Sequence, residues 1–413
     1  MTARFATLGI AQIGSALCGF LSTLILVRGI GIEGFGFASL GLSVLTYGLV
    51  ITTFGTDLYA IQLTSRNRRS ARYNMTAVMA VRAALSIPTM AAIVILSLSG
   101  IWQPGARTAV LLFSLSLFVN ILYPIWLAQA LERAKIVAMC TFGAQALNLA
   151  FVIVAAALES TVAGYAAARV GSDLIVAVAL TCWARKTQGA PVESLSRAQL
   201  VDFFRHASPT GIAHILRTVA LGSDLLLLSF FVSTTIVGLY AAPFRIFTLL
   251  ISINSIYFVV LLPLFSRRAA EGMDELASAH RSLVGGALLL FVAGLILVAA
   301  LAKPLLAIGF GPAFVPGALT LQILLVAAAA NAINRGYRQV LVASGHRLAD
   351  MNSIAIASVS GLLVKLMLIG KFNIVGVAAG TVFGEVVLAV LQRRVAQRVL
   401  TRTNKSDDHT RQD

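Results

Sequence analysis

Residues 283–302 read LVGGALLLFVAGLILVAALA, a run of twenty residues without a charged side chain. An α-helix of about 20 residues is about 30 Å long, which matches the thickness of the hydrocarbon core of a bilayer. The run therefore predicts a helix that crosses a membrane. The fold of the chain depends on how often this pattern recurs.

Similar apolar runs occur from one end of the 413-residue chain to the other, and 58% of its residues are hydrophobic. Only 12% are charged, whereas about 25% is usual for a soluble domain. We therefore predict an all-α integral membrane protein. About twelve transmembrane helices are expected, near residues 5–27, 36–60, 76–99, 108–130, 136–158, 162–183, 207–232, 237–265, 283–302, 317–343, 350–370 and 375–394.

The formal net charge of +16 would suggest nucleic-acid binding if the protein were soluble. Here the basic residues lie mainly in short connections between apolar runs, without interleaved aromatic residues, so no nucleic-acid partner is predicted. Cys18, Cys140 and Cys182 all lie inside apolar runs and are expected to behave as small hydrophobic residues. No disulfide, metal site or cofactor is predicted.

The basic residues divide the loops into two alternating sets. One set contains only Arg28, Arg107, Lys303 and Lys371. The second set holds most of the Lys and Arg residues of the loops. Loops rich in Lys and Arg stay in the cytoplasm, so the second set and both chain termini are predicted to be cytoplasmic. The cytoplasmic set includes Arg66, Arg68, Arg69, Arg72, Arg133, Lys135, Arg185, Lys186, Arg197, Arg205, Arg267, Arg268, Arg281, Arg347 and the basic tail.

The longest hydrophilic stretch divides the chain into two halves of six helices. We predict an N-terminal lobe at 1–183, a cytoplasmic linker at 184–206, a C-terminal lobe at 207–394 and a polar cytoplasmic tail at 395–413.

The two halves resemble each other, which predicts a duplication in which corresponding helices enter the membrane from the same side. The sequence FGFAS, from Phe35 in predicted helix two, corresponds to VGLYA, from Val237 in predicted helix eight. Near the end of each half, AGYAA precedes Asp173 and VGVAA precedes Glu385, with each acid nine positions after the glycine.

Ionisable side chains inside the predicted helices are the candidate functional residues, because each costs roughly 2.5 to 3.5 kcal/mol at the bilayer centre. In predicted helix seven, His214, Arg217 and Asp224 share one face. In predicted helix ten, a polar stripe at i, i+3, i+4 and i+7 consists of Asn331, Asn334, Arg335 and Arg338. Further intramembrane cations are Arg82, Arg169, Arg245 and Lys365.

Two interpretations of these charges are open. In the first, they neutralise one another across helix contacts, as Arg169 and Asp173 can at i, i+4 spacing. In the second, the surplus of Arg and Lys over acids forms a cationic cavity that binds an anion, particularly a phosphate or diphosphate. The predicted cavity residues are Arg217, Arg245, Arg335, Arg338, Arg82 and Lys365, and the candidates for ion coupling or charge pairing are Asp57, Asp173, Asp224, Glu385 and His214.

Four segments carry a resemblance to a known family: RGIGIEGFG from Arg28, QALER from Gln129, GLYAAPFR from Gly238 and FGPAF from Phe310. In them the chain resembles the polysaccharide exporters and lipid-linked oligosaccharide flippases of the multidrug/oligosaccharidyl-lipid/polysaccharide (MOP) superfamily. It departs from the usual pattern of the first segment at Ile30 and Ile32. The glycines of that segment are predicted to make a tight turn between helices one and two.

The resemblance implies two six-helix lobes around a central cavity that opens alternately to either side, in a bacterial inner membrane. It implies a flippase that moves polyprenyl-diphosphate-linked oligosaccharide to the outer leaflet for O-antigen, capsule or exopolysaccharide biosynthesis. Polysaccharide polymerase and glycosyltransferases are the partners it suggests. The alternatives are an ion-coupled multidrug or metabolite exporter of the same superfamily and a membrane-embedded glycan polymerase or ligase. Enzyme signatures such as a Walker loop or a nucleophile elbow do not occur, so a transporter is predicted.

Overall fold

The computed structural model describes residues 2–189 and 195–410, and every regular element within these ranges is helical. Three 3₁₀ turns lie at Arg68–Ser70, Asn120–Leu122 and Pro312–Gly317. The α-helices are α1 (Thr2–Thr53), α2 (Thr56–Arg66), α3 (Ala71–Leu98), α4 (Pro104–Ser114), α5 (Ser116–Val119), α6 (Ile125–Ala130), α7 (Ala134–Ala157), α8 (Val162–Gln188), α9 (Arg197–Phe231), α10 (Thr234–Glu271), α11 (Met273–Ala300), α12 (Ala302–Gly309), α13 (Ala318–Ala343) and α14 (Arg347–Thr410).

Within the described ranges, nine helical segments are long and apolar enough to cross a membrane. Two of them, Leu8–Thr53 and Leu348–Val399, contain 46 and 52 residues. At 1.5 Å per residue each is roughly 70 to 80 Å long, which is more than twice the thickness of the hydrocarbon core. Each is interrupted by one residue with a non-helical backbone, Gly31 (φ 68°) in α1 and Asn373 (φ 46°) in α14. Each therefore accounts for two passes.

Counted in this way, the nine segments give eleven passes, and α9 contributes a further apolar segment at Gly222–Phe231. The prediction of an all-α, multi-pass architecture with about twelve spans is confirmed. Many large apolar side chains point outward, as expected where lipid is the solvent: Leu289, Leu290 and Met367 are each at least 75% exposed.

The chain separates into two compact units, Met1–Ala241 and Ala242–Asp413. In the first unit α1 packs against α4, α7 and α9, and in the second α13 packs against α11 and α14. The predicted lobes at 1–183 and 207–394 are the halves of the predicted duplication and are not the same as the two compact units. Their boundaries stay a prediction.

Helices occupy much of the stretch 184–206 that was expected to be a linker. Helix α8 continues to Gln188 and α9 begins at Arg197. A capping box starts α9, because the Ser196 hydroxyl accepts the Gln199 N–H at 3.3 Å and the Gln199 side chain accepts the Ser196 N–H at 2.9 Å. Phe203, two turns further on, is buried in the core of the first unit. At the other end of the chain, α14 continues beyond the predicted boundary at 394 to Thr410.

The fourth predicted span, 108–130, is a broken helix. It begins at Pro104 and consists of α4, α5, a 3₁₀ turn and α6. Pro124 causes the break, because proline has no N–H to donate to the carbonyl of Asn120 one turn earlier. The carbonyl of Asn120 receives instead a long 3.3 Å bond from the N–H of Tyr123. Non-helical backbone at membrane depth needs other donors, and Arg82 on α3 provides them.

Candidate functional site

The polar stripe of α13 surrounds the carboxylate of Glu385 on α14. The Asn331 side-chain amide donates to Glu385 Oε1 at 3.1 Å, and the Asn334 amide donates to Glu385 Oε2 at 2.7 Å. Asn334 also donates to the main-chain oxygen of Glu385 at 3.0 Å. Glu385 is only 6% exposed, and a buried carboxylate needs such donors because it has lost its water. The spacing of the stripe along the helix places both amides on the face that contacts α14.

Two predicted cations lie in the same cluster. Arg335 Nε donates to the Asn331 side-chain oxygen at 3.0 Å, and Arg335 Nη1 donates to the Ser255 hydroxyl of α10 at 2.9 Å. Arg335 and Lys365 both lie close enough to Glu385 to interact with its charge. The second unit thus brings together Arg335, Lys365 and Glu385, which lie far apart in the sequence.

Arg338, the last residue of the stripe, contacts an acid that the sequence analysis missed. Its Nε donates to Asp350 Oδ2 at 3.1 Å, and Gln392 donates to Asp350 Oδ1 at 2.6 Å. Asp350 is in the first turn of α14, where the helix dipole stabilises a negative charge. It was not counted among the intramembrane acids because it stands at the first residue of a predicted span. The sequence contained one signal for this contact. An acid stands in the first turn of a helix, and a short turn joins that helix to the preceding helix, which contains arginines.

In the first unit, Arg82 of α3 is 1% exposed and has three acceptors. It forms an ion pair with Asp57 of α2, and its Nη1 donates to the carbonyl oxygens of Asn120 at 2.6 Å and Tyr123 at 3.1 Å. Two of these acceptors belong to the broken fourth span. Arg82 therefore supplies donors to backbone carbonyls at the break that Pro124 produces.

Asp173 of α8 accepts from Arg169 Nε at 2.9 Å and from the Ser116 hydroxyl of α5 at 3.3 Å. The predicted i, i+4 pairing of Arg169 with Asp173 is thus present. Asp173 and Glu385 are the acids that correspond in the predicted duplication, and each accepts a hydrogen bond from the helix that lies two predicted spans earlier. This correspondence is expected if the halves descend from a duplication.

Of the predicted residues of helix seven, the structure describes the side chains of His214 and Asp224. Asp224 is fully buried and accepts the Tyr240 hydroxyl at 2.5 Å. His214 is exposed, and the side chain of Arg217 lies outside the described part of the chain. Arg245 is partly buried on α10 and belongs to the second unit.

Charge pairing therefore accounts for Arg82, Arg169 and Arg338, each of which contacts a carboxylate. The contacts of Arg335 include an amide oxygen and a hydroxyl oxygen, and it also lies near the charge of Glu385. The gathering of the predicted cationic residues around a single cavity stays a prediction.

Glycines from two segments that carry the family resemblance form a close backbone contact in the first unit. A Cβ on Gly36 would lie 2.0 Å from the carbonyl oxygen of Thr234, and a Cβ on Gly238 would lie 2.2 Å from that of Ile32. These glycines are also the paired glycines of FGFAS and VGLYA. Only a residue without a side chain allows α1 and α10 to approach this closely.

Solved structures with the same fold include a flippase and multidrug transporters. A structure described as the lipid II flippase MurJ in an inward closed conformation has a TM-score of 0.78 at 11% identity, covering 94% of this chain and 87% of that one. An inward-facing multidrug resistance MATE family transporter of the MOP superfamily has a TM-score of 0.74 at 15% identity, covering 96% and 99%. A mutant of the Vibrio cholerae MATE transporter VcmN has a TM-score of 0.63 at 14% identity, and the match covers 96% of each chain.

The described residues therefore form a multi-pass membrane protein with the fold of MurJ and of the MATE family transporters. The family model for polysaccharide biosynthesis proteins matches residues 2–269, more than half of the sequence, and the chain belongs to that family. No curated protein matches the sequence.

Proposed function

We propose that the protein is a flippase that moves a polyprenyl-diphosphate-linked oligosaccharide from the cytoplasmic to the outer leaflet of a bacterial inner membrane by alternating access. The product would feed O-antigen, capsule or exopolysaccharide biosynthesis. The diphosphate and the glycan would lose their water in hydrocarbon, so they need a polar path. Membership of the polysaccharide biosynthesis family supports a glycan as cargo.

The observation that carries the proposal is the position of Arg335. It lies in the second half of α13, eight residues before the end of the apolar segment Pro312–Ala343, and is partly buried. Two of its oxygen partners, on Asn331 and Ser255, are neutral groups that can exchange with the oxygens of a ligand. A guanidinium binds phosphate oxygens in a bidentate manner, which makes Arg335 the most suitable diphosphate ligand of the predicted set.

The remaining predicted residues take different parts in this proposal. Arg217, Arg245 and Lys365 add positive charge along the path between two six-helix lobes, with both chain termini cytoplasmic. Arg338 and Arg82 mainly stabilise their helices through Asp350 and Asp57. Glu385, Asp173, Asp224 and His214 stay candidates for ion coupling, and the polymerase and glycosyltransferases stay the suggested partners.

The second candidate is an ion-coupled multidrug or metabolite exporter, since multidrug transporters share the fold. A carrier for cationic drugs is expected to present carboxylates to its cargo. In the second unit the carboxylates of Glu385 and Asp350 are instead occupied by side-chain amides and by Arg338.

The test is deletion of the gene followed by complementation, with lipid-linked oligosaccharide assayed in each leaflet. Deletion should leave the lipid-linked glycan in the cytoplasmic leaflet. R335Q should fail to restore export, and R335K should restore it partly because lysine cannot bind in a bidentate manner. S255A is the matched control, since it removes one hydrogen bond of Arg335 but keeps the charge, and it should restore export.

Two results would count against the proposal. R335Q that reaches normal membrane levels and exports glycan like the wild type would remove Arg335 from the path. A deletion strain that exports its glycan normally but becomes sensitive to drugs would favour the multidrug exporter.

A further inference from the structure

One end of the first unit carries two basic runs that are distant in sequence. Arg66 ends α2, and the 3₁₀ turn Arg68–Ser70 follows, with the Asn67 side chain accepting the Arg69 N–H at 3.1 Å. This short capped turn leaves Arg66, Arg68 and Arg69 exposed. The second run, Arg185 and Lys186, is in the last turn of α8 and is also exposed.

Packing places the two runs at the same end of the unit. Ala71, which follows the arginine turn, and Ala184, which precedes Arg185, are both buried in one hydrophobic cluster. A Cβ on Gly189 at the end of α8 would lie 3.7 Å from Arg72 Nε. We call the surface formed by Arg66, Arg68, Arg69, Arg185 and Lys186 the basic surface.

The corresponding loop of the second half has arginines of its own, but acids accompany them. Arg268 Nη1 donates to Glu271 at 3.1 Å and to Glu275 at 2.9 Å. By contrast, the sequence from 58 to 131 contains no acid. Among the described residues, no ion pair joins a member of the basic surface to an acid.

Membrane topology does not explain this difference. The positive-inside rule counts Lys and Arg in the loops, and acids contribute little to it. Both loops satisfy that rule, yet only the first keeps a net positive field. A field of this sign concentrates anions at the surface, and neighbouring arginines suit phosphate groups.

We propose that the basic surface binds the diphosphate headgroup of the lipid-linked substrate in the cytoplasmic leaflet before the headgroup enters the transport path. This inference rests on the proposed function and on the predicted cytoplasmic side of the loops. The diphosphate carries more negative charge than a phospholipid phosphodiester, so several cations favour it over the bulk lipid. The surface sets the affinity for substrate, whereas Arg335 acts within the membrane.

The experiment uses the full chain in nanodiscs of zwitterionic phosphatidylcholine, with farnesyl diphosphate as the probe. R68Q/R69Q should raise the Kd by about thirtyfold, the size expected for two cations at a membrane surface. R267Q/R268Q removes an equivalent arginine pair from the second half and should leave the Kd unchanged. The difference should shrink at high salt, because exposed charges are screened.

Removal of arginines from a loop can change the membrane topology, so a second variant keeps them. Q62E/S65E places one acid a helical turn before Arg66 and a second acid in the last turn of α2, keeps every arginine, and should also weaken binding. In transport assays both basic-surface variants should raise the KM and leave the maximal rate unchanged, whereas R335Q should lower the maximal rate.

The outcomes separate the two proposals. If the wild-type chain binds and transports the probe and R68Q/R69Q matches it, the basic-surface proposal alone is wrong. If phosphatidylglycerol in the nanodisc abolishes the difference between R68Q/R69Q and the wild type, the surface is occupied by bulk phospholipid and the proposal is also wrong. If the wild-type chain does not bind the probe, the basic-surface proposal is wrong, whereas a deletion strain that exports its glycan normally would show that the proposed function is wrong.

Discussion

Replacement of Arg82 by glutamine tests whether this side chain holds the broken fourth span. The wild-type guanidinium contacts the Asp57 carboxylate and the carbonyls of Asn120 and Tyr123. A shorter, neutral glutamine reaches at most one of these three acceptors. Loss of one partner from a buried ion pair costs about 3 to 5 kcal/mol, and each buried acceptor left without a donor costs about 1 to 3 kcal/mol.

The exposure of the partners sets the value within these ranges. The Asp57 side chain is 32% exposed, so water can replace part of what the carboxylate loses. We therefore expect R82Q to lower the free energy of unfolding by about 4 kcal/mol, of which about 3 comes from the ion pair, the lower limit for a buried pair, and about 1 from a carbonyl left without a donor. D57N leaves Arg82 bonded to both carbonyls but removes the counter-ion of its buried guanidinium, so it should cost about 3 kcal/mol, about 1 kcal/mol less than R82Q.

Reversible unfolding in mixed micelles of SDS and a mild detergent measures these differences. R66Q, which changes an exposed arginine of the neighbouring helix, is the control and should have little effect. The double variant D57N/R82Q should be less unstable than the sum of the single variants, because the two residues share one contact. If R82Q is no more destabilising than D57N, Arg82 does not hold the break.

Two further variants test the helix contacts of each unit. G36A should prevent the close approach of α1 and α10, because the new Cβ would lie 2.0 Å from the Thr234 oxygen, and it should lower both the stability in unfolding assays and the activity in export assays. G143A is the control, because a Cβ added there has no neighbour within 4 Å. Equal effects of G36A and G143A would contradict this reasoning. E385Q places an amide group opposite the amide donors of the polar stripe, so it should lower the free energy of unfolding by about 1 to 3 kcal/mol. An unchanged unfolding curve would contradict this prediction.

Contacts within one helix could be predicted from the sequence, and contacts between helices could not. Arg169 and Asp173 are four residues apart on one helix, so helical geometry alone brings them together. Arg82 and Asp57 are on different helices, and a pattern of polar residues does not say which helices pack together. The number of intramembrane acids alone therefore could not show which arginines were paired.

Two local features had signals that the sequence analysis did not use. Pro124 inside the predicted span 108–130 predicts a break, and Arg82 lies within the neighbouring span to supply the missing donors. The S-x-x-Q pattern from Ser196 predicts the start of α9 inside the stretch that was expected to be a linker.

The sequence by itself determined that lipid surrounds the protein, that its fold is all-helical and approximately how often the chain crosses the membrane. The reason is that apolar runs of bilayer length can satisfy their backbone groups in lipid only as helices. It also located the polar stripe of α13, since helical periodicity places those residues on one face. Tertiary structure alone decided the partners: Glu385 accepts the stripe's amides, Asp350 accepts Arg338, and Gly36 lies against Thr234. The physical reason is that periodicity determines the direction of a side chain on its own helix, whereas packing determines which helix it meets.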